Sequence, residues 1–553
     1  MLDVELAADA KQTTEVELKL ALDPKAVESA ARLPSLLRPG VDGPITRALR
    51  SIYFDTSNAD LRRLQLTLRL RRAEHAWSQA LKHEDAAAAG LHVRAKSEHP
   101  LESEGLDLEK IEDSGLRRKL HKWQTAGELM PRFETVVTRT TWLLGTAAGG
   151  VIECALDLGE VRTLDGRSVA PLCEVELELK SGPVSELFTL ARELGESLPL
   201  TLEHRSKAAR GYMLWRREPQ SNPDKAGLPA LGANATAAQA MTQIVISGIA
   251  HLQRNWQAAA NATRYNPEHV HQMRVATRRL RTAFSVFGQL DESLRAHPIV
   301  GELRWLAASL GDARNWDVLL AETFSKVSSA FPDEASLADL ARRAQLRRRR
   351  ARGQVREALQ SARYFSLVLN LSEFIVRVHE YPTLAVPVVP VAATMLTRRH
   401  KQLRKRARHL AALSATERHA LRIAAKKLRY TAEFFASLFA GSKLDRFLRH
   451  FGRLQKALGA LNDLDTMRGL MNDLAEGANA DMQRALALCT GWSTGLEEGR
   501  IPDLAPCWKS VRRTSPFWPD HRTMIEAKRT EESATVENTD ADAAVGTAEQ
   551  TKV

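Results

Sequence analysis

Glu15-Val16-Glu17-Leu18-Lys19-Leu20 puts three charged side chains on one face of a strand and three apolar ones on the other, because side chains alternate across an extended chain. Taken alone, it is an amphipathic strand with a solvated face. The alternation returns in Leu68-Arg69-Leu70-Arg71, with two guanidiniums on one face. It returns again in Glu174-Val175-Glu176-Leu177-Glu178-Leu179-Lys180, with three carboxylates and an ammonium. Like charges on neighbouring positions of one face repel unless something lies between them. A solvated sheet face mixes signs, whereas here the strands divide into acidic and basic sets. One solution is a closed barrel with a charged interior and an apolar exterior packed against helices. Acidic strands would collect a divalent cation such as Mg²⁺ or Mn²⁺, and basic strands would collect phosphate oxygens. Such a cavity suits a metal–phosphate ligand and not an apolar small molecule.

Strand-like alternation, also seen in Leu66–Arg71 and Val151–Leu156, continues to about residue 215. Arg216–Ala235 has the composition of a linker, with Pro219, Pro223, Gly227, Pro229 and Gly232. From residue 236 the pattern turns helical, and residues 529–553 are expected to form a disordered tail. The 553 residues are enough for about three or four packed units. With 44% hydrophobic and 26% charged residues, global disorder, collagen and a membrane bundle are excluded. The longest apolar run, Tyr381–Leu396, is broken by Pro382, Pro387 and Pro390, and Asp3 and Glu5 do not fit a secretion signal. Cys154, Cys173, Cys489 and Cys507 lack the density of a disulfide framework and the spacing of metal ligands. A cytoplasmic location is the expectation. The formal net charge of +12 is unevenly spread: residues 251–530 hold 46 basic and 26 acidic residues, a net +20, and the remainder carries −8.

Within the basic half the chain repeats itself. His271-x-x-Arg274-x-x-x-Arg278-Arg279-Leu280-Arg281 returns 148 residues later as His419-x-x-Arg422-x-x-x-Lys426-Lys427-Leu428-Arg429, and Leu306…Gly311…Asp317 returns as Leu454…Gly459…Asp465. The identical offset argues for a duplicated helical unit, joined through Tyr381–Pro390. Positions i, i+3, i+7 and i+10 fall along one helical stripe, so each repeat aligns a His and three bases, an arrangement that destabilises an isolated helix. The tracts Arg347–Arg350 and Arg398–Arg408 are less specific.

Glu15-x-Glu17-x-Lys19 resembles the signature of the CYTH family, the triphosphate tunnel metalloenzymes. Further blocks follow in family order: Tyr53-Phe54-Asp55-Thr56, Leu68-Arg69-Leu70-Arg71, Trp77…Lys82, Gly90-Leu91-His92-Val93-Arg94, Arg139 with Trp142, Glu153…Asp157…Gly159, Glu174-x-Glu176-x-Glu178 and Ser206-Lys207…Arg210-Gly211-Tyr212. Two positions depart from the family: Lys96 replaces an expected carboxylate, and Ala80 an expected Thr. The resemblance implies an eight-stranded antiparallel β tunnel with flanking helices over residues 10–215. It implies hydrolysis of inorganic triphosphate to diphosphate and phosphate with Mg²⁺ or Mn²⁺. The implied roles are catalytic for Glu15, Glu17, Lys19 and Lys82, substrate-binding for Arg69, Arg71, Arg94, Arg139 and Lys207, and metal-binding for Glu15, Glu17, Asp157, Glu174 and Glu176.

The His271–Arg281 and His419–Tyr430 blocks resemble the CHAD domain. The implied fold is an all-α unit over 236–520, with two four-helix repeats at about 236–380 and 391–520. The whole chain would then be α+β. The implied partner is inorganic polyphosphate, bound by His271, Arg274, Arg278, Arg281, His419, Arg422, Lys426 and Arg429. Association with polyphosphate granules would follow. The alternative is a granule-binding protein whose tunnel is weak or acts on thiamine triphosphate or a nucleoside triphosphate. A nucleic-acid partner is disfavoured by the 6% aromatic content and the lack of a recognition motif.

Overall fold

The computed structural model describes residues 13–28, 41–83, 90–218, 222–261 and 265–519. The tail after 528, and part of the 216–235 segment, lie outside them. The first part is antiparallel sheet: β1 (Thr13–Leu22), β2 (Val41–Asp55), β3 (Leu66–Ala73), β4 (Ala76–His83), β5 (Leu91–Leu101), β6 (Met130–Gly145), β7 (Val151–Thr163), β8 (Val169–Ser181) and the short β9 (Leu200–Leu202). The order is β5-β4-β3-β2-β6-β7-β8-β1-β9, and β1 also pairs with β5. That pairing closes the first eight strands into a barrel. Along one edge β1 is shared, with Thr13–Leu18 on β5 and Leu20–Leu22 on β9.

Closure in this order sets β3 four strands from β8 in both directions, and β4 four strands from β7. The basic and acidic strands therefore face each other across the barrel. Their apolar partners point outward. Leu18, Leu20, Cys154, Leu156, Val175 and Leu177 are buried under α2 (Ser185–Ser197), while Leu66 and Leu68 are buried under α1 (Ser114–Thr125). Burying each such side chain contributes about 1.5–3 kcal/mol. One end of the barrel is filled by Tyr53, Phe133, Val137, Val161 and Leu172 packed on Ala208 and Tyr212 of α3 (Lys207–Trp215).

The rest is helical: α4 (Ala237–Ala260), α5 (Pro267–Phe287), α6 (Pro298–Val318), α7 (Ser336–Leu359), α8 (Ala362–Arg377), α9 (Val388–Arg406), α10 (Ala415–Phe434), α11 (Ser442–Ala475), α12 (Ala480–Arg500) and α13 (Leu504–Arg513), with shorter turns between. Starts are locally encoded. Capping boxes at Thr236/Gln239 and Ser414/Glu417 open α4 and α10, and Pro267 and Pro298 occupy first-turn positions in α5 and α6. Shifted by 148 residues, α4–α7 fall on α9–α12, and α5 and α10 touch across the two sets. The described part of the Pro/Gly segment is fastened over the helices by Asp224–Asn255 and Leu231–Ser437 hydrogen bonds.

Sheet and helices share one apolar core that runs from β1 through α2 to α4–α13. At the contact, Arg192 of α2 pairs with Glu373 of α8. A Cβ on Gly195 would lie 2.4 Å from the Phe365 ring, so this approach requires glycine. Among the described residues no helix is long and apolar enough to cross a membrane.

Candidate functional site

Strand register assembles the tunnel interior. Lys19 lies opposite Glu176, Asp157 opposite Glu174, and Arg139 opposite Asp157. The cavity, about 920 Å³ with the open solvent at its mouth included, is lined by Glu15, Glu17, Lys19, Arg69, Arg71, Lys82, Arg139, Glu176 and Lys207 among others.

Asp157, Glu174 and Glu176 form an acidic cluster on one wall of the barrel, with Glu176 lining the cavity and the other two fully buried beside it, each offering an oxygen within 4.8 Å of the others. Arg139, Lys207 and Lys19 hold them, with Arg210 reaching Glu174. Arg139 grips Asp157 in bidentate fashion, with Nε to Oδ1 at 2.7 Å and Nη2 to Oδ2 at 2.6 Å, and also reaches Glu176. Lys207 Nζ lies 2.7 Å from Asp157 and 2.8 Å from Glu176, and pairs with Glu174. Lys19 pairs with Glu176 and sits 3.2 Å from Glu17. Burial would push the Glu176 carboxyl up, but Lys19, Lys207 and Arg139 outweigh it and hold it well below the usual range. Burial disfavours the charged forms of Lys19 and Lys207, yet their carboxylate neighbours raise both ammoniums. Lys19, Arg139, Asp157, Glu176 and Lys207 are therefore held in their charged forms.

The opposite wall is under-neutralised. Arg69 is buried, its Nε and Nη2 lack hydrogen-bond partners, and Glu98 is 3.6 Å away. Arg71 donates to Ser51 Oγ at 3.1 Å, and burial together with Arg69 and Arg139 lowers its guanidinium to about 10. Lys82 reaches Glu15 at 2.7 Å. Two guanidiniums side by side, one on a hydroxyl and the other 3.6 Å from a carboxylate, have the charge and shape to take phosphate oxygens. The metal question is one of donors: an all-oxygen carboxylate set suits a hard divalent cation, so these residues fit one.

The expected residues separate into groups. Glu15, Glu17, Lys19, Arg69, Arg71, Lys82, Arg139, Asp157, Glu174, Glu176 and Lys207 come together inside the barrel. The side chains of Arg94 and Lys96 lie outside the described residues. Glu178 sits toward the mouth, where Lys180 bonds it at 2.7 Å and reaches Glu153 at 3.4 Å. His92 is buried, and burial with nearby Lys19 lowers it to about 3. Cys154 and Cys173 lie in the outer apolar packing.

Sequence reasoning gave no role to Ser51, Thr67 or Arg210. Arg210, one turn after Lys207 on α3, lies 3.4 Å from Glu174; its i+3 spacing was the available signal. Asp55 is structural. It accepts from Thr56, Leu61 and Arg62 N–H groups and from the Tyr212 hydroxyl at 2.7 Å, tying α3 to the end of β2.

A second cluster lies where α5 meets α10. Burial and the Arg278, Arg314 and Arg422 charges lower Arg274 to about 10. Burial with Arg422 and Arg278 lowers Lys426 to about 7, and burial with Arg314 lowers His271 to about 4. Arg278 donates to the Tyr430 hydroxyl at 3.3 Å, and Arg422 Nε is buried without a partner. His419 bonds Asn462 at 2.7 Å. Arg429 donates through its Nε to Glu433, one turn further on, at 2.7 Å. Asp317 accepts from Tyr265 and Arg352, both at 2.7 Å.

The CYTH domain family matches residues 13–212 and the CHAD domain family residues 243–472. The chain is similar to an inorganic triphosphatase of Haemophilus influenzae, 30% identical over 207 residues, which are 37% of this chain and 56% of that protein. It therefore spans about half the length of that relative. An uncharacterised protein of Mycobacterium tuberculosis is 28% identical over 422 residues, 70% of this chain and 76% of that one. The crystal structure of the CHAD domain from the plant Ricinus communis has 30% identity and a TM-score of 0.49, and covers 53% of this chain and 98% of that one.

Proposed function

For a chain that is a CYTH domain (13–212) followed by a CHAD domain (243–472), we propose that the tunnel hydrolyses inorganic triphosphate and the helical half binds inorganic polyphosphate. The tunnel unit would be residues 10–215 and the helical unit 236–520, in repeats of about 236–380 and 391–520, joined by 216–235. The observation that carries the reading is the pair of opposed walls, Asp157/Glu174/Glu176 facing Arg69/Arg71/Lys82, inside one closed barrel.

Mg²⁺ or Mn²⁺ would be held by Asp157, Glu174 and Glu176, with Glu15 and Glu17 beside them. Bound there, the ion would neutralise phosphate charge as it develops. Arg69, Arg71 and Lys82 bind phosphate oxygens from the opposite wall. Lys19, Arg139 and Lys207, which the carboxylates keep fully charged, add donors from the near side. Phosphoryl transfer needs positioning and charge neutralisation more than covalent chemistry. A water oxygen bonds to the terminal phosphorus, the bond to the bridging oxygen breaks, and diphosphate leaves. Glu15 and Glu17 orient the water, and one of them accepts its proton. In the helical half, Arg274, Arg278, Arg422 and Lys426 offer close-set cations to a polymer bearing one charge per phosphate.

Phosphate release from tripolyphosphate, ATP and thiamine triphosphate, with and without Mg²⁺, tests the reading. We expect tripolyphosphate to be preferred and a chelator to stop release. A Glu17→Ala enzyme with undiminished metal-dependent release would sink the site assignment. Binding of polyphosphate by the full chain, lost on Arg274→Ala with Lys426→Ala, tests the second half.

A further inference from the structure

Two places related by the internal repeat differ in charge. On one side of the α5–α10 contact, Arg279 and Arg429 both close on Glu433, and Arg429 also donates to Gln455 at 2.9 Å. The 148-residue offset maps Arg279 to Lys427, Arg429 to Arg281, and Glu433 to Ser285. On that second side Arg304 stands where the other repeat has Gly452, and Arg399 where it has His251. One side thus holds two cations on a carboxylate; the other has four cations and, in place of the carboxylate, a hydroxyl that Arg399 contacts. Among the described residues, none of Arg281, Arg304, Arg399 and Lys427 forms an ion pair.

These cations stand close enough to oppose one another's charge. Burial first, then Arg399, Arg281 and Arg406, lower the Lys427 ammonium. Burial, Arg304 and Arg278 lower Arg281. Arg399 is 8% exposed, its Nη2 donates to Ser285 Oγ at 3.0 Å, and its Nε has no hydrogen-bond partner. A buried guanidinium with an unmatched donor, set among like charges, is costly unless an anion joins it. Arg278 links this group to the central cations, since it opposes the charge of Arg281 as well as those of Arg274 and Lys426.

We propose that a bound polyphosphate continues from the central cations on this side only, past Arg281, Lys427, Arg399 and Arg304, and is stopped on the other side by Glu433. The inference rests on the polyphosphate reading of the helical half. It makes the site directional, with one end open to a long chain. A polymer of phosphates alone matches this density of cations; a nucleic acid would bring bases that need stacking rings.

The test uses the full chain with short (about 5 phosphates) and long (about 60 phosphates) polyphosphate, titrated at several salt concentrations. Ser285→Glu installs the carboxylate that the second repeat has. We expect it to weaken long-chain binding about tenfold and flatten its salt dependence, with short-chain affinity unchanged. Arg304→Ala, at an exposed position, should give the same pattern if Ser285→Glu disturbs folding. Long-chain binding that is unchanged in both variants overturns the inference and leaves the parent reading intact. A wild-type chain that binds no polyphosphate overturns both. An RNA oligomer that displaces polyphosphate at equal charge overturns the choice of polymer.

Discussion

Lys426 shows how one side chain reports its surroundings. Its ammonium is lowered to about 7 by burial and by Arg422 and Arg278, against about 10.4 in an unfolded chain. The unfolded state therefore binds more protons between those values, and this residue's contribution to stability rises with pH across that window. A polyanion restores the proton, so polyphosphate binding should weaken as pH rises through about 7. Titrations across that range should show proton uptake on binding, and Lys426→Met should remove this component of the pH dependence. In the tunnel, Arg71→Ala should cost about 10²–10³ in turnover, as loss of a preorganised charge donor does. Glu178→Gln, at the mouth, should cost far less; the same phosphate-release assay compares them. Glu15, Glu17 and Lys19 were legible because charges alternating with Val and Leu leave a period of two. Ser51 and Thr67 were not, since small neutral side chains leave no such trace. The stripe identifies the face on which Arg429 stands, but not its pairing with Glu433 one turn beyond.

The element that makes the barrel a one-ended tunnel is α3. Ser206 caps it by accepting from Ala209 at 2.9 Å, which places Lys207 at its first residue, facing the acidic wall. Tyr212 then anchors it through Asp55. Its closeness to β6 depends on Gly211, where a Cβ would lie 2.1 Å from the Phe133 ring. Gly211→Ala should lower stability by about 1–3 kcal/mol, as overpacking does, and should reduce turnover by displacing Lys207. Thermal melts and phosphate release, measured on the same preparation, check both effects. The sequence indicated Lys207 through its motif but gave no sign that the segment was a plug, because Ala208 and Tyr212 become a floor only when the barrel exists to receive them. The helix starts were more legible, since the capping boxes are local.

At the scale of the whole molecule, charge segregation was readable along the chain, but the contact between the halves was not. The outer faces of β1 and β8, of α2 and of α8 are simply apolar, and nothing in such a pattern names its partner. Because one apolar core runs through both halves, we expect a single cooperative melt. Phe365→Ala should lower its midpoint without splitting it, costing about 3–5 kcal/mol, and two separate transitions in calorimetry would contradict this. The shared edge of β1 has a further consequence, for the order of folding. Lys19 meets Glu176 and Leu20 meets Leu202, so β1 is synthesised well before its last partners, which follow some 160–180 residues later. Contacts that distant in sequence form slowly. Until then β1 has only β5 to pair with, along Thr13–Leu18, and the acidic side of the site that it carries is the last part of the barrel to exist.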